Sequence, residues 1–339
     1  MNKEKFIFFS FIMIIIIFYC AKNQKESFVI NFNSDYINNA LKNNNIIHNR
    51  GKKTLRKGDY SLSYITHFNS PYGKMICRNK ELTLNKLSKY NIPITNYYLW
   101  NNEISYYNNI NNINRKLKYP VVLKETDGSL GRNIFVNINN SQEVINAVNK
   151  LKKKNDNNKK NNILVEEQLY GKNYRILVFN NNIIDCVERI KPYVIGNGHN
   201  TLYDLINKYN IDQENNSLFK VVNISYNYIK EQGFNQYSII PSGKTVYITN
   251  VINLNNGAKV KRININDIHP DNIKLFKDIN KILKLNLSGI DYISGSIYKS
   301  YKKHGYILEV NDSPGIVASA HLDKTSNRSA INDLVKNIF

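Results

Sequence analysis

The sequence predicts an α+β fold. Two observations carry that prediction. Strand-like and helix-like apolar runs alternate along the chain without a regular βαβ period, and no internal repeat appears. Hydrophobic residues make up 42% of the 339 residues and aromatics 12%, so a sizeable core is available. A chain of that length forms one large domain or two to three lobes around one site.

The elements follow in order. Residues 27–68 are mixed and Asn-rich, with few signals. Glu81 to Tyr90 carries Leu82, Leu84 and Leu87 in a helical pattern, and Asn91-Ile-Pro93 stops it. Tyr119-Pro-Val-Val-Leu-Lys124 reads as a buried strand, followed by a polar glycine loop and a second strand over Ile134 to Ile138. Ser141 is placed to N-cap a helix whose Val144, Ile145, Val148 and Leu151 share a face. Lys152 to Asn162 is a basic, Asn-rich stretch that reads as a solvated loop.

Ile163 to Val165 is another strand. Arg175 to Phe179 and Ile183 to Val187 flank Asn180-Asn-Asn182 as a hairpin. Thr201 to Asn210 and Pro270 to Leu285 are helical, the latter with Ile273, Phe276, Ile279, Ile282 and Leu283 on one face and Pro270 in its first turn. Tyr306 to Val310 is a last buried strand before the turn Asn311-Asp-Ser-Pro-Gly315.

Composition excludes several function classes. The 3 Cys form no C-x-x-C pair and the 6 His never sit at ligand spacing, which disfavours a disulfide scaffold, a structural zinc site and zinc hydrolysis. The net charge of +21 would ordinarily suggest nucleic acid or an anionic membrane. The surplus, however, lies in Asn, Lys, Ile and Tyr, the residues of AT-rich codons, so no nucleic-acid partner is expected.

The amino terminus is different in kind. Phe6 to Ala21 is nearly unbroken hydrophobe behind Lys3 and Lys5. As a helix it would be about 24 Å long against a bilayer core of about 30 Å. Tyr19 and Cys20 are poor cleavage-site residues before Ala21, so an anchor or uncleaved signal is preferred to a cleaved one or to a core helix. The expected organisation is a hydrophobic segment over 1–24, a segment of uncertain fold over 25–72, and the main domain over 73–335.

Two glycine motifs are decoys. Gly243-Lys-Thr245 has Ser238 where a P-loop needs its first glycine, and Pro241 interrupts the loop. Gly196-Asn-Gly198 lacks a third glycine at position 201. The loop Lys124-Glu-Thr-Asp-Gly128-Ser129-Leu-Gly131 is better placed: backbone N–H groups around Gly128 and Gly131 can close over phosphates while Lys124 neutralises them. Glu309 and Asn311, two apart on a strand, share a face. With Asp291 they make a hard-oxygen set suited to Mg2+.

These pieces, in order from Gly73 to Gly315, resemble an ATP-grasp ligase, and most closely the ATP-grasp domain of cyanophycin synthetase and of the bifunctional glutathione synthetase. The resemblance rests on Asn79-Lys80, Asn91-Ile-Pro-Ile94, Pro120-Val-Val-Leu-Lys124, Val165-Glu166-Glu-Gln-Leu-Tyr-Gly171-Lys-Asn-Tyr-Arg175, Arg189-Ile-Lys-Pro, Gly196-Asn-Gly198, Asn253-Leu-Asn-Asn-Gly257, His269-Pro270, Gly289-Ile-Asp291 and Glu309-Val-Asn-Asp-Ser-Pro-Gly315.

The resemblance implies the ATP-grasp fold, two α+β lobes with ATP held between them, 73–168 forming the nucleotide-binding lobes and 169–335 the C-terminal lobe with the metal site. It implies Lys80 and Lys124 on the ATP phosphates, with Gly128, Ser129 and Gly131 folding over them. It implies a hinge at Glu166, Glu167, Gln168 and Leu169 that holds adenine by backbone bonds, and Asn173 at the ribose position. Asp291, Glu309 and Asn311 would hold Mg2+, with Mn2+ as the alternative, and Arg175 and Arg189 would stabilise the transferred phosphoryl group or acyl phosphate. The family pattern has other residues where Leu130, Asn133, Asn173 and Asn197 stand, an acidic residue at 173 and Asp at 197 among them.

The expected function is ATP-dependent joining of a carboxylate to an amine, the substrates being small molecules or peptides. The alternative is a degenerate, membrane-tethered nucleotide-binding protein. A membrane-attached domain facing the cytosol is the expected location, a cytoplasmic one the alternative, and a homo-oligomer is compatible with either.

Overall fold

The computed structural model describes residues 47–49, 54–57, 60–63, 69–128, 133–154, 162–215, 222, 224–252, 257–323 and 329–338. They fall into two compact units. One is Ile65–Pro314; the other gathers what is described of residues 1–64 with Gly315–Phe339. The second contains an antiparallel three-stranded sheet of β1 (Ile47–Asn49), β2 (Thr54–Lys57) and β3 (Tyr60–Ser63). No helix among the described residues is long and apolar enough to cross a membrane, and residues 6–21 lie outside them.

The larger unit begins with α1 (Pro71–Cys77) and α2 (Lys80–Ser88). Then come β4 (Tyr97–Leu99), α3 (Tyr106–Lys116), β5 (Val121–Glu125), β6 (Phe135–Ile138), α4 (Ser141–Lys154) and β7 (Ile163–Glu167). β4-β7-β5-β6 form an antiparallel four-stranded sheet. The apolar stripe of α4 (Val144, Val148 and Leu151) is fully withdrawn from water against Val121, Leu123 and Ile113. The cap of α4 is not Ser141 as expected but Asn140, whose side-chain oxygen accepts the Glu143 N–H at 3.0 Å; Ser141 is already helical. An asparagine fits here because its short acceptor reaches an orphan N–H of the first turn.

β8 (Lys172–Phe179) and β9 (Asn182–Ile190) are the expected hairpin. Asn180 and Asn181 supply its turn at φ 46° and 63°, a left-handed pair that asparagine tolerates and that matches strand twist. β10 (Tyr193–Ile195), α5 (Leu202–Asn215), α6 (Tyr226–Glu231) and β11 (Thr245–Tyr247) make a small subdomain around Leu202, Ile206, Val222 and Ile240. Both glycine decoys are turns in it, with Gly198 at φ +85° and Gly243 at φ +77°.

β12 (Lys259–Arg262), α7 (Pro270–Leu283), β13 (Leu287–Ser294) and β14 (Gly305–Asn311) complete the unit. The five-stranded antiparallel sheet runs β12-β9-β8-β13-β14. Strand alternation splits this sheet into two chemically opposite faces. Tyr174, Ile176, Val178, Cys186, Ile290, Tyr292 and Val310 turn to one side, where Phe276, Ile279 and Leu283 of α7 cover them. Burying each large apolar side chain of that layer is worth about 1.5–3 kcal/mol, so the register is held firmly. The residues between them are thereby forced onto the other face.

Candidate active site

That other face carries charge. Register pairs Asp291 on β13 with Glu309 on β14 and with Arg175 on β8. It pairs Asn173 with Arg189 on β9, and Gly289 with Asn311. Since directly paired residues point the same way, the sheet brings Asn173, Arg175, Arg189, Asp291, Glu309 and Asn311 to one surface. Six positions predicted from four separate sequence segments therefore converge.

The contacts are specific. Asp291 Oδ1 accepts from Arg189 Nη1 at 3.1 Å and lies 3.1 Å from Arg175 Nε. Arg175 Nη1 also donates to Gly289 O at 3.0 Å. Glycine is required there, since a Cβ would stand 2.6 Å from both Arg175 Nη1 and Pro314 Cβ. Sequence reasoning assigned Gly289 no role; its one signal was a glycine two residues before Asp291 on the same strand face. Arg189 leaves its buried Nε without a hydrogen-bond acceptor, and the Arg175 Nε contact to Asp291 is an ion pair without hydrogen-bond alignment. Burial lowers the Arg175 pKa below the ordinary guanidinium value; Asp291 opposes the shift and Arg189 adds to it.

Lys80 connects this surface to the other lobe. Asn79 caps α2 by accepting the Leu82 N–H at 3.1 Å, which makes Lys80 the first helical residue. Its backbone N–H is held by Thr126 O at 3.0 Å, just beyond β5. Its ammonium donates to the carbonyl of Gly128 and lies 3.4 Å from Glu309 Oε1. Ser129 and Gly131, expected in the phosphate loop, lie outside the described residues, as do Leu130 and Asn253–Asn256.

Lys124 stands on β5, diagonally across from Glu166 on β7, and pairs with Glu166 Oε2 at 2.6 Å. The pair is nearly sealed, with side chains 11% and 5% exposed. Glu166 Oε1 is buried with no hydrogen-bond partner, a vacant acceptor on the strand expected to hold adenine. Of the other hinge residues, Glu167 donates its N–H to Asn96 O and Gln168 to Pro120 O. Their side chains fasten the neighbourhood: Glu167 accepts from Lys118 N and Asn96 Nδ2, and Gln168 exchanges two bonds with Asn137. Leu169 follows directly after them, and the Asn173 side-chain amide donates to Gly171 O at 3.5 Å.

The donor set fits a divalent cation. Asp291 and Glu309 stand on paired residues and Asn311 adds an amide oxygen on the same face. These are the hard oxygens Mg2+ prefers, with its remaining positions left to phosphate and water. Among the described residues no group of three or more His, Cys, Asp or Glu side chains is placed to hold a metal ion by itself. The unpartnered Glu166 oxygen and the cations Lys80 and Lys124 likewise fit a nucleotide. Thiol chemistry is poorly served. Cys77 lines the small cleft beside Lys80 and Glu309, but burial, with Asp312 and Glu309, pushes its pKa up to about 12. It stays protonated and a weak nucleophile at neutral pH.

Comparison with known proteins bears on the family resemblance and the fold. Residues 77–226 match the model of the RimK-like ATP-grasp domain. Cyanophycin synthetase from Synechocystis sp. is 34% identical over 205 residues, covering 58% of this chain and 23% of that protein. The glutathione biosynthesis bifunctional protein of Clostridium perfringens is 29% identical over 187 residues, covering 52% of this chain and 24% of that protein. The chain thus spans about a quarter of the length of these relatives. The crystal structure of a bifunctional glutathione synthetase from Pasteurella multocida superposes with a TM-score of 0.53 at 18% identity, covering 78% of this chain and 37% of that one. Residues 77–226 thus match a RimK-like ATP-grasp domain, and the fold is the ATP-grasp fold.

Proposed function

We propose that this protein is an ATP-dependent carboxylate–amine ligase that makes an amide bond through an acyl phosphate. The observation that carries the reading is the single charged face of the five-stranded sheet, where Asp291, Glu309 and Asn311 adjoin Arg175 and Arg189. A substrate carboxylate oxygen would attack the γ-phosphorus of ATP, ADP leaving with the broken bond's electron pair. An amine nitrogen would then attack the acyl carbon and expel phosphate, losing a proton to give the amide.

The chain's share is positioning and charge stabilisation. Lys80, fixed by its helix cap and by Thr126 O, is placed to meet phosphate oxygens beside Gly128. Lys124 would add a second cation, with Glu166 holding it in place and offering its other oxygen to the base. Asp291, Glu309 and Asn311 would hold Mg2+, which supplies charge neutralisation of the phosphates when bound. Arg175 and Arg189, rigid in the sheet, would take the charge that develops on the transferred group.

Full-length protein supplied with Mg2+, ATP and arrayed pairs of carboxylates and amines should release phosphate and ADP in step with amide product. ATP binding without turnover on any pair would instead favour a non-catalytic, membrane-tethered nucleotide-binding protein. The observation on that side is that Asn173, in place of the family's acidic residue, reaches no stronger partner than Gly171 O.

A further inference from the structure

Each carboxylate of the expected metal site is already held by a cation of the chain. Asp291 gives a single oxygen to two guanidinium groups, Arg189 at 3.1 Å and Arg175 at 3.1 Å. Glu309 is held by Lys80 at 3.4 Å. These cations are also the groups that an anionic substrate or phosphate would need. The arginines are not fully met: Arg189 Nε is buried and makes no hydrogen bond, and Arg175 Nε meets Asp291 Oδ1 as an ion pair without an aligned hydrogen bond. Three cations thus face two carboxylates, and one oxygen of Asp291 serves both arginines at once.

We propose that Asp291 is a gate on anion binding: it restrains Arg175 and Arg189 until a divalent cation takes its carboxylate, so that metal and anion bind with positive coupling. The inference rests on the metal reading of Asp291, Glu309 and Asn311 given above. The physical basis is competition for one carboxylate. A divalent ion on Asp291 neutralises the charge that holds the guanidinium groups, and both then present unmet donors to a tetrahedral anion or carboxylate. By linkage, an anion on the arginines must raise the metal's affinity by the same factor.

The test uses full-length protein and inorganic sulfate as the anion, its binding read by calorimetry with no turnover involved. Wild type in chelator sets the baseline. Wild type loaded with Mn2+, whose binding is followed separately by its electron paramagnetic resonance signal, should bind sulfate about tenfold more tightly, as expected when one charge at contact distance is neutralised. Asp291→Asn in chelator should show the same gain without metal, and Asp291→Asn combined with Arg189→Gln should lose it. Bound Mn2+ with sulfate affinity unchanged overturns the gate and leaves the metal site standing. Mn2+ that does not bind overturns the metal site and the coupling together. The two wild-type arms need no substitution, so a variant that fails to fold does not blunt the test.

Discussion

The two charged clusters of the larger unit are built on opposite plans. Lys124 and Glu166 are a one-to-one pair at 2.6 Å, sunk between strands of the four-stranded sheet. Asp291 is shared by two arginines on the five-stranded sheet, and all three side chains keep 17–18% of their surface exposed. The first arrangement has little freedom to exchange partners, because opening it strands two charges away from water. In the second, partners are unequal in number and solvent is near, so exchange costs far less. One plan suits a fixed cation, the other a site whose contacts change as ligands arrive.

Breaking the sealed pair should have the largest effect. Lys124→Met leaves Glu166 buried and uncompensated, and should cost about 3–5 kcal/mol in urea unfolding. The double change Lys124→Met with Glu166→Leu should recover much of that. If the single variant is as stable as wild type, the pair is not sealed in the way described. At the open cluster the effect should fall on chemistry rather than stability. Glu309→Gln should lower Mg-ATP turnover about 10²–10³-fold, with the melting temperature close to wild type. Undiminished turnover would sink the metal assignment.

Gly289→Ala tests how the open cluster is supported. The added methyl must displace Arg175 or Pro314, which should cost about 1–3 kcal/mol and weaken sulfate binding in the same variant. The smallest expected effect is at the cap that presents Lys80. Asn79→Ala should cost about 1 kcal/mol, visible as a modest drop in thermal stability, with Asn79→Asp retaining the cap.

Legibility from sequence varied with the physics of each segment. The hairpin turn at Asn180-Asn181, the proline-led α7 and the buried strands β5 and β7 carry strong local signals, and each forms within a few residues of its expected bounds. Helix α3 gives no clear sequence signal, because asparagines fill its pattern. Asn109 occupies a fully buried position that would normally show an apolar residue. It is accommodated by donating to Asn101 O and Ser105 O while accepting from Asn101 N, with Tyr98 donating to the same oxygen. A hydropathy pattern does not register a buried amide whose bonds are all met. Strand β4 is too short, at three residues, to show a period.

The site divides in the same way. Residue types and spacing alone marked Glu309 and Asn311 as sharing a strand face, and the resemblance named the lysines and arginines that belong with them. Which cation faces which carboxylate was not legible, because Asp291 meets Arg175 and Arg189 through residues more than 100 positions apart. Nor was the need for glycine at 289, which depends on a side chain arriving from another strand.

By itself, then, the sequence determined the α+β character, the alternating faces of the site-bearing strands and the set of groups available for phosphate and metal chemistry. These rest on local stereochemistry and period-two alternation. Only the tertiary structure decided how the groups are paired, sealed at Lys124–Glu166 and shared at Asp291. Long-range register follows from packing the opposite face onto α7, and burial there, not any local preference, selects the partners.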